Sequence, residues 1–114
     1  MLEDSKIGYI ELPGSDLPAT KSFYSQAFGW GFTDYGPTYA GFDNAGLDGG
    51  FQADPAQARP APLAVIFAND IEAMLAKVTA AGGDVIIPIF TFPGGRRFHF
   101  RDPSGNELAV FCQG

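Results

Sequence analysis

The chain has 114 residues, 46% of them apolar, which suits one domain around one buried core. Lys plus Arg number 7 against 13 Asp plus Glu, a net of −6, and this balance argues against nucleic acid or an anionic membrane surface as partner. One cysteine, Cys112, leaves no internal disulfide or thiolate metal site; one histidine, His99, leaves no multi-histidine zinc site; and no run of about 18 apolar residues is present to span a bilayer.

The N-terminal MLEDSKIGYI is charged and lacks an apolar signal segment, which predicts a cytoplasmic protein. The strand beginning at Tyr9 runs into Asp16, and a helix follows from about Asp16 to Phe28. Its predicted apolar face is Ala19, Phe23, Tyr24 and Ala27, with Pro18 tolerated in the first turn. Three strand-like runs come next: GWGFTDYG, TYAGFD and GLDGGFQ. Residues 53–62, ADPAQARPAP, read as a linker with three prolines. An apolar strand from Leu63 then leads to Asp70, and a helix is predicted over 70–82. Ile71, Met74, Leu75, Val78 and Ala81 keep the i, i+3, i+4, i+7 rule, and Gly82-Gly83 ends it. Three more strand runs close the chain: DVIIPIF, RRFHFR and NELAVF.

The two halves repeat. Residues 9–30 align without a gap on 63–84 at a shift of 54, matching Asp16 with Asp70, Ala27 with Ala81 and Gly29 with Gly83. The expected fold class is therefore α+β: two βαβββ modules, about 1–55 and 60–114 of a single domain. They should be related by a pseudo-two-fold axis, with curved mixed sheets around a pocket.

This order, with KSFYSQAFGW after a strand and Asp, and RDPSGNELAVF near the end, resembles the vicinal oxygen chelate superfamily over essentially the whole chain. That group includes glyoxalase I, fosfomycin and bleomycin resistance proteins and extradiol dioxygenases. The resemblance implies the fold, a homodimer, and a ligand cavity that in metal-dependent members holds an ion. It places the family's metal ligands seven residues before each helix Asp, at Tyr9 and Leu63, and on the last strand of each half, near Gly50 and at Ala109. These residues make a poor set for a divalent ion, which takes His nitrogen or carboxylate oxygen. No metal or other cofactor is expected.

Strand alternation from Tyr9 and Ala109 brings Glu11, Glu107 and Phe111 to the cavity side. If Asp102 and Asn106 close a hairpin, Arg101 lies opposite Glu107, His99 opposite Ala109 and Arg97 opposite Phe111, while Phe98 and Phe100 turn to the core. The candidate ligand-binding set is Tyr9, Glu11, Leu63, Val65, Arg97, His99, Arg101, Glu107, Ala109 and Phe111; the candidate catalytic groups are His99 and Glu11. Plainer readings stand beside these. Arg101 with Glu107 reads as a cross-strand ion pair, Glu11 as a group at a solvated pocket mouth or paired with an arginine, and His99 as a hydrogen-bonded packing residue. Tyr24 and Trp30 read as core or interface aromatics, and Cys112 as inert. The favoured function is a metal-free protein binding a small organic molecule. The alternative is a lyase or dioxygenase of the lactoylglutathione-lyase kind, metal-dependent or using His99 or Glu11 as acid or base. A third reading is a partner module whose cavity is filled by side chains.

Overall fold

A computed structural model describes residues 2–113. Residues 9–63 form one compact unit, and residues 64–113 with residues 2–8 form another.

The first unit contains β1 (Ile7–Pro13, whose first two residues group with the other unit), α1 (Leu17–Phe28), β2 (Gly31–Asp34), β3 (Tyr39–Asp43) and β4 (Gly49–Gln52). Its strands lie in the order β2-β3-β4-β1, with β1 parallel to β4 and the other pairs antiparallel. The Asp16 carboxylate accepts from Ala19 N at 3.1 Å and caps the first turn of α1, while left-handed Gly29 (φ 76°) ends the helix. Leu17, Ala40, Phe42 and Phe51 form the core, with Ile10, Leu12, Tyr24, Trp30 and Phe32 packed against it.

The packing face of α1 differs from the predicted one. Of Ala19, Phe23, Tyr24 and Ala27, only Tyr24 packs inward; Ala19 and Ala27 are exposed and Phe23 is 59% exposed. Tyr24 stacks on Trp30 (centroids 4.8 Å apart, 13° between planes), and Leu17, two positions before the predicted face, is the buried residue. This stack fixes the helix rotation, and the Phe23 stripe turns outward.

The second unit contains β5 (Leu63–Phe67, starting at the division), α2 (Ile71–Ala80), β6 (Asp84–Phe92), β7 (Gly95–Arg101) and β8 (Glu107–Gln113). The order is β5-β8-β7-β6, with β5 parallel to β8. Asp70 repeats the cap, accepting from Ala73 N at 3.0 Å. The helix ends at Ala80, two residues before the predicted end, because Gly83 N already donates back to Val78 O at 2.8 Å and Gly82 is left-handed. Phe98, Phe100, Val110, Cys112, Ile71 and Ala68 form the core, with Met74, Leu75 and Val78 of α2 packed on it. The N-terminal residues belong here: Ser5 N donates to Phe67 O (2.8 Å), and Phe67 N donates to Lys6 O (2.9 Å). Asn69 N donates to the Asp4 carboxylate (2.8 Å), which holds that carboxyl below its usual range.

The register is the same in both halves. Glu11 lies opposite Gly50 across β1–β4, and Val65 opposite Ala109 across β5–β8. Gly41 lies opposite Gly50 across β3–β4, and His99 opposite Ala109 across β7–β8. Gly50 is thus the internal counterpart of Ala109, Gly41 of His99, and Tyr39 of Arg97. The halves differ most at β6, nine residues against four in β2, with register shifts between Val85 and Ile87 and between Ile87 and Phe90.

Candidate functional site

In the second half, period-2 alternation sends Phe98 and Phe100 under α2 and leaves Arg97 and His99 on the opposite sheet face. The predicted pairings hold: Arg97 lies opposite Phe111, His99 opposite Ala109, and Arg101 opposite Glu107. His99 is 1% exposed, and its Nδ1 is 2.8 Å from Glu107 Oε2, two residues along β8 from its direct cross-strand partner. An imidazole bonded to a carboxylate through one ring nitrogen is fixed in orientation. Phe90, on β6, stacks on the His99 ring with centroids 6.0 Å apart and 27° between planes. The Arg97 guanidinium carbon lies 5.5 Å from the ring centroids of both Phe90 and Phe92, within cation–π range. Phe92 continues the aromatic run to Phe111 (6.0 Å), and Phe111 continues it to Phe67 (5.8 Å).

Arg101 departs from the reading given to it. It is exposed, and its Nη1 donates to Gly105 O at 3.4 Å, while Glu107 turns to His99. The physical reason is position. Arg101 is the last residue of β7, where the turn carbonyl and solvent both compete for its charge, whereas Glu107 bends along the sheet to the better-shielded imidazole.

The first half carries a different group on the corresponding face. The Tyr9 and Tyr39 hydroxyls share a short hydrogen bond, and Tyr39 Oη donates to Glu11 Oε1 at 3.4 Å. Glu11 is only 6% exposed. Burial pushes the Tyr9 phenol above its usual pKa; the Tyr39 hydrogen bond opposes this, and the Glu11 charge adds to it. Gly50 is what admits the Tyr39 ring, because a Cβ there would sit 2.5 Å from Tyr39 Cε1. Leu63 and Val65 are buried, as is Ala109.

The structure therefore gathers Val65, Arg97, His99, Glu107, Ala109 and Phe111 in the second half and Tyr9 with Glu11 in the first. Three residues escape the sequence reading: Tyr39, Phe90 and Phe92. Tyr39 is legible in retrospect, two residues before Gly41 in an alternating strand. Phe90 and Phe92 depend on the bulges in β6, which no local pattern announces.

Residues 6–110 match the family profile described as Glyoxalase/Bleomycin resistance protein/Dioxygenase superfamily. The chain belongs to this superfamily. A Mycobacterium tuberculosis protein named "Putative glyoxylase CFP32" is 33% identical over 115 residues, covering 90% of this chain and 44% of that protein. The anthracycline biosynthesis protein DauV of Streptomyces sp. strain C5 is 32% identical over 127 residues, covering 93% and 46%. The chain thus spans less than half the length of these curated superfamily relatives. Among solved structures, methylmalonyl-CoA epimerase from Mycobacterium tuberculosis aligns over 100% of this chain and 93% of its own, with a TM-score of 0.71 at 13% identity. At that identity the likeness speaks for the fold alone. Both halves are α+β modules of the expected βαβββ order. Among the described residues, no helix is long and apolar enough to cross a membrane, and no three His, Cys, Asp or Glu side chains are grouped to hold a metal ion.

Proposed function

We propose that this superfamily member binds a small organic molecule without a metal ion, in the cytoplasm and as a homodimer. The observation that carries the reading is the chemistry at the four positions where the superfamily resemblance puts metal ligands. Gly50, Leu63 and Ala109 offer no donor side chain. The ring of Tyr39 stands where a side chain from residue 50 would project. Tyr9 offers a phenol that is already hydrogen-bonded, and burial opposes the phenolate a divalent ion would want. The ligand-contacting groups in this reading are Arg97, His99, Glu107, Ala109, Phe111 and Val65 in one half and Tyr9, Glu11 and Leu63 in the other. Ala109 keeps the space beside His99 free of a competing donor. The dimer is supported by the outward stripe of α1, where Phe23 and Phe28 are 59% and 63% exposed.

The bond between His99 and Glu107 favours one second reading, a metal-free reaction in which His99 moves a proton and Glu107 orients it. The names of the curated relatives, a glyoxylase and an anthracycline biosynthesis protein, are compatible with either.

The test is elemental analysis of purified protein together with a mass-spectrometric search for co-purifying organic molecules. The expected result is far less than one equivalent of Zn, Ni, Mn or Fe, with an organic ligand carried along. One tightly held metal ion per chain, lost with Tyr9→Phe, would sink the proposal.

A further inference from the structure

The second half carries a denser aromatic surface than a half-exposed sheet face needs. Phe90, Phe92, Phe111 and Phe67 follow one another at centroid distances of 5.8 to 6.3 Å, and His99 adds a fifth ring stacked on Phe90. Phe90, Phe92 and Phe111 are half-buried, so their rings are neither sealed in the α2 core nor left to water. That core is made by other residues, Phe98, Phe100 and Val110, on the opposite side of the sheet. Arg97 and His99 on the aromatic side both carry planar polar groups. The Arg97 guanidinium lies over Phe90 and Phe92, and the imidazole is pinned by Glu107. A planar cation beside the rings extends the stacking surface.

We infer that this face, the β6–β7–β8 side away from α2, is a subsite for a planar aromatic molecule bearing a carbonyl or phenolic oxygen. The inference rests on the small-molecule reading above and names the class of ligand. The rings of the ligand stack on the half-buried Phe90, Phe92 and Phe111, with the buried His99 ring backing Phe90. Its oxygen meets the Arg97 guanidinium. A flexible aliphatic molecule would gain the same area without the ring–ring geometry and would order more rotors on binding.

The probe is 2-hydroxyanthraquinone, with 4-cyclohexylcyclohexanol as a control that is not flat. Binding to the full chain is measured by isothermal titration in EDTA and mapped by amide shifts. Expected are at least about tenfold tighter binding of the anthraquinone than of the control, and shifts centred on β6 and β7. The double variant Phe90→Leu/Phe92→Leu should weaken binding about tenfold, and Arg97→Met severalfold. Arg97→Met leaves every ring in place and keeps the test decisive if the double variant does not fold. Equal affinity for the two probes, or unchanged anthraquinone affinity in Arg97→Met and in any folded double variant, overturns the aromatic class. If a non-planar molecule co-purifies while the anthraquinone fails, small-molecule binding stands and only this inference falls. If a metal ion co-purifies while the anthraquinone binds as described, the metal-free reading falls and the aromatic subsite stands.

Discussion

His99→Phe is the perturbation with the clearest energetic consequence. Phenylalanine keeps the ring bulk and can keep the stack on Phe90, so the cavity term is small. What disappears is the Nδ1 partner 2.8 Å from Glu107 Oε2, in a pair whose side chains are 1% and 13% exposed. A hydrogen bond to a charged group contributes about 1.5–3 kcal/mol, and a shielded carboxylate that loses its donor bears the desolvation cost. In a domain of this size, 1 kcal/mol moves Tm by roughly 4 °C, so His99→Phe should lower it by roughly 6–12 °C. Glu107→Gln retains an amide oxygen that can accept from the ring nitrogen, so about 1 kcal/mol is expected. The double variant His99→Phe/Glu107→Leu removes both partners and should cost at least about 1 kcal/mol less than the sum of His99→Phe and Glu107→Leu measured singly. Thermal unfolding followed by circular dichroism gives the Tm shifts, and urea unfolding gives the free energies. A His99→Phe protein within about 2 °C of the parent, with an additive double variant, would refute the account of the pair.

Three further outcomes are expected. Gly49→Ala should be far more disruptive than Gly50→Ala in thermal unfolding, because its Cβ meets the backbone oxygen of Ile10 as well as the Phe42 ring, whereas at Gly50 the three nearest atoms all belong to the Tyr39 side chain, which can swing away. Asp102→Asn should cost stability at neutral pH but progressively less in acid. Hydrogen bonds from the Asn106 side chain and from backbone N–H groups hold the folded Asp102 carboxyl below its ordinary 3.8, so its contribution is complete above 3.8 and is lost as pH falls through the folded value. The two melting curves should therefore converge as pH falls through the folded value, and a gap independent of pH would contradict the assignment. Phe23→Glu/Phe28→Glu should convert a dimer into a monomer in light scattering at micromolar concentration without lowering Tm; a parent that is already monomeric defeats the proposed interface.

Much of the fold was legible because each half repeats its local signals. Asp16 and Asp70 both cap helices through the N–H three residues on, and the Asp102–Asn106 hairpin sets the pairing of His99 with Ala109. Alternation then decided that Phe98 and Phe100 go inward, which is also where burial gains most. The face of α1 was not legible. Ala19, Phe23 and Ala27 satisfy a helical period as well as Leu17 and Tyr24 do, and only the stack on Trp30 chooses between them. The partner of Glu107 was not legible either. Cross-strand logic assigns it to Arg101, but its carboxylate instead reaches the buried His99 Nδ1, diagonally across the strands. The aromatic wall failed for a third reason: two register shifts in β6 decide which residues lie opposite Arg97 and Gly95, and a bulge leaves no composition signal.

The repeated register also permits a comparison that needs no outside reference, between one half and the other. At equivalent positions the chain carries Tyr39 and Arg97, Gly41 and His99, Gly50 and Ala109, Glu11 and Val65. The core-facing residues between them change little in character: Ala40 and Phe98, Phe42 and Phe100 are all buried and apolar. Divergence is thus concentrated on the face that the helices do not cover, where packing constrains it least. There the first half has lost bulk on two strands, and Gly50 admits the Tyr39 ring, whose hydroxyl joins Tyr9 and Glu11 in a chain of oxygens. The second half instead keeps bulk and adds rings, with Arg97 and His99 set beside them. A metal site built from matching positions of a repeat asks both halves for similar donors. Hydroxyls with a carboxylate in one half and rings with a guanidinium in the other are not such a matched set of donors.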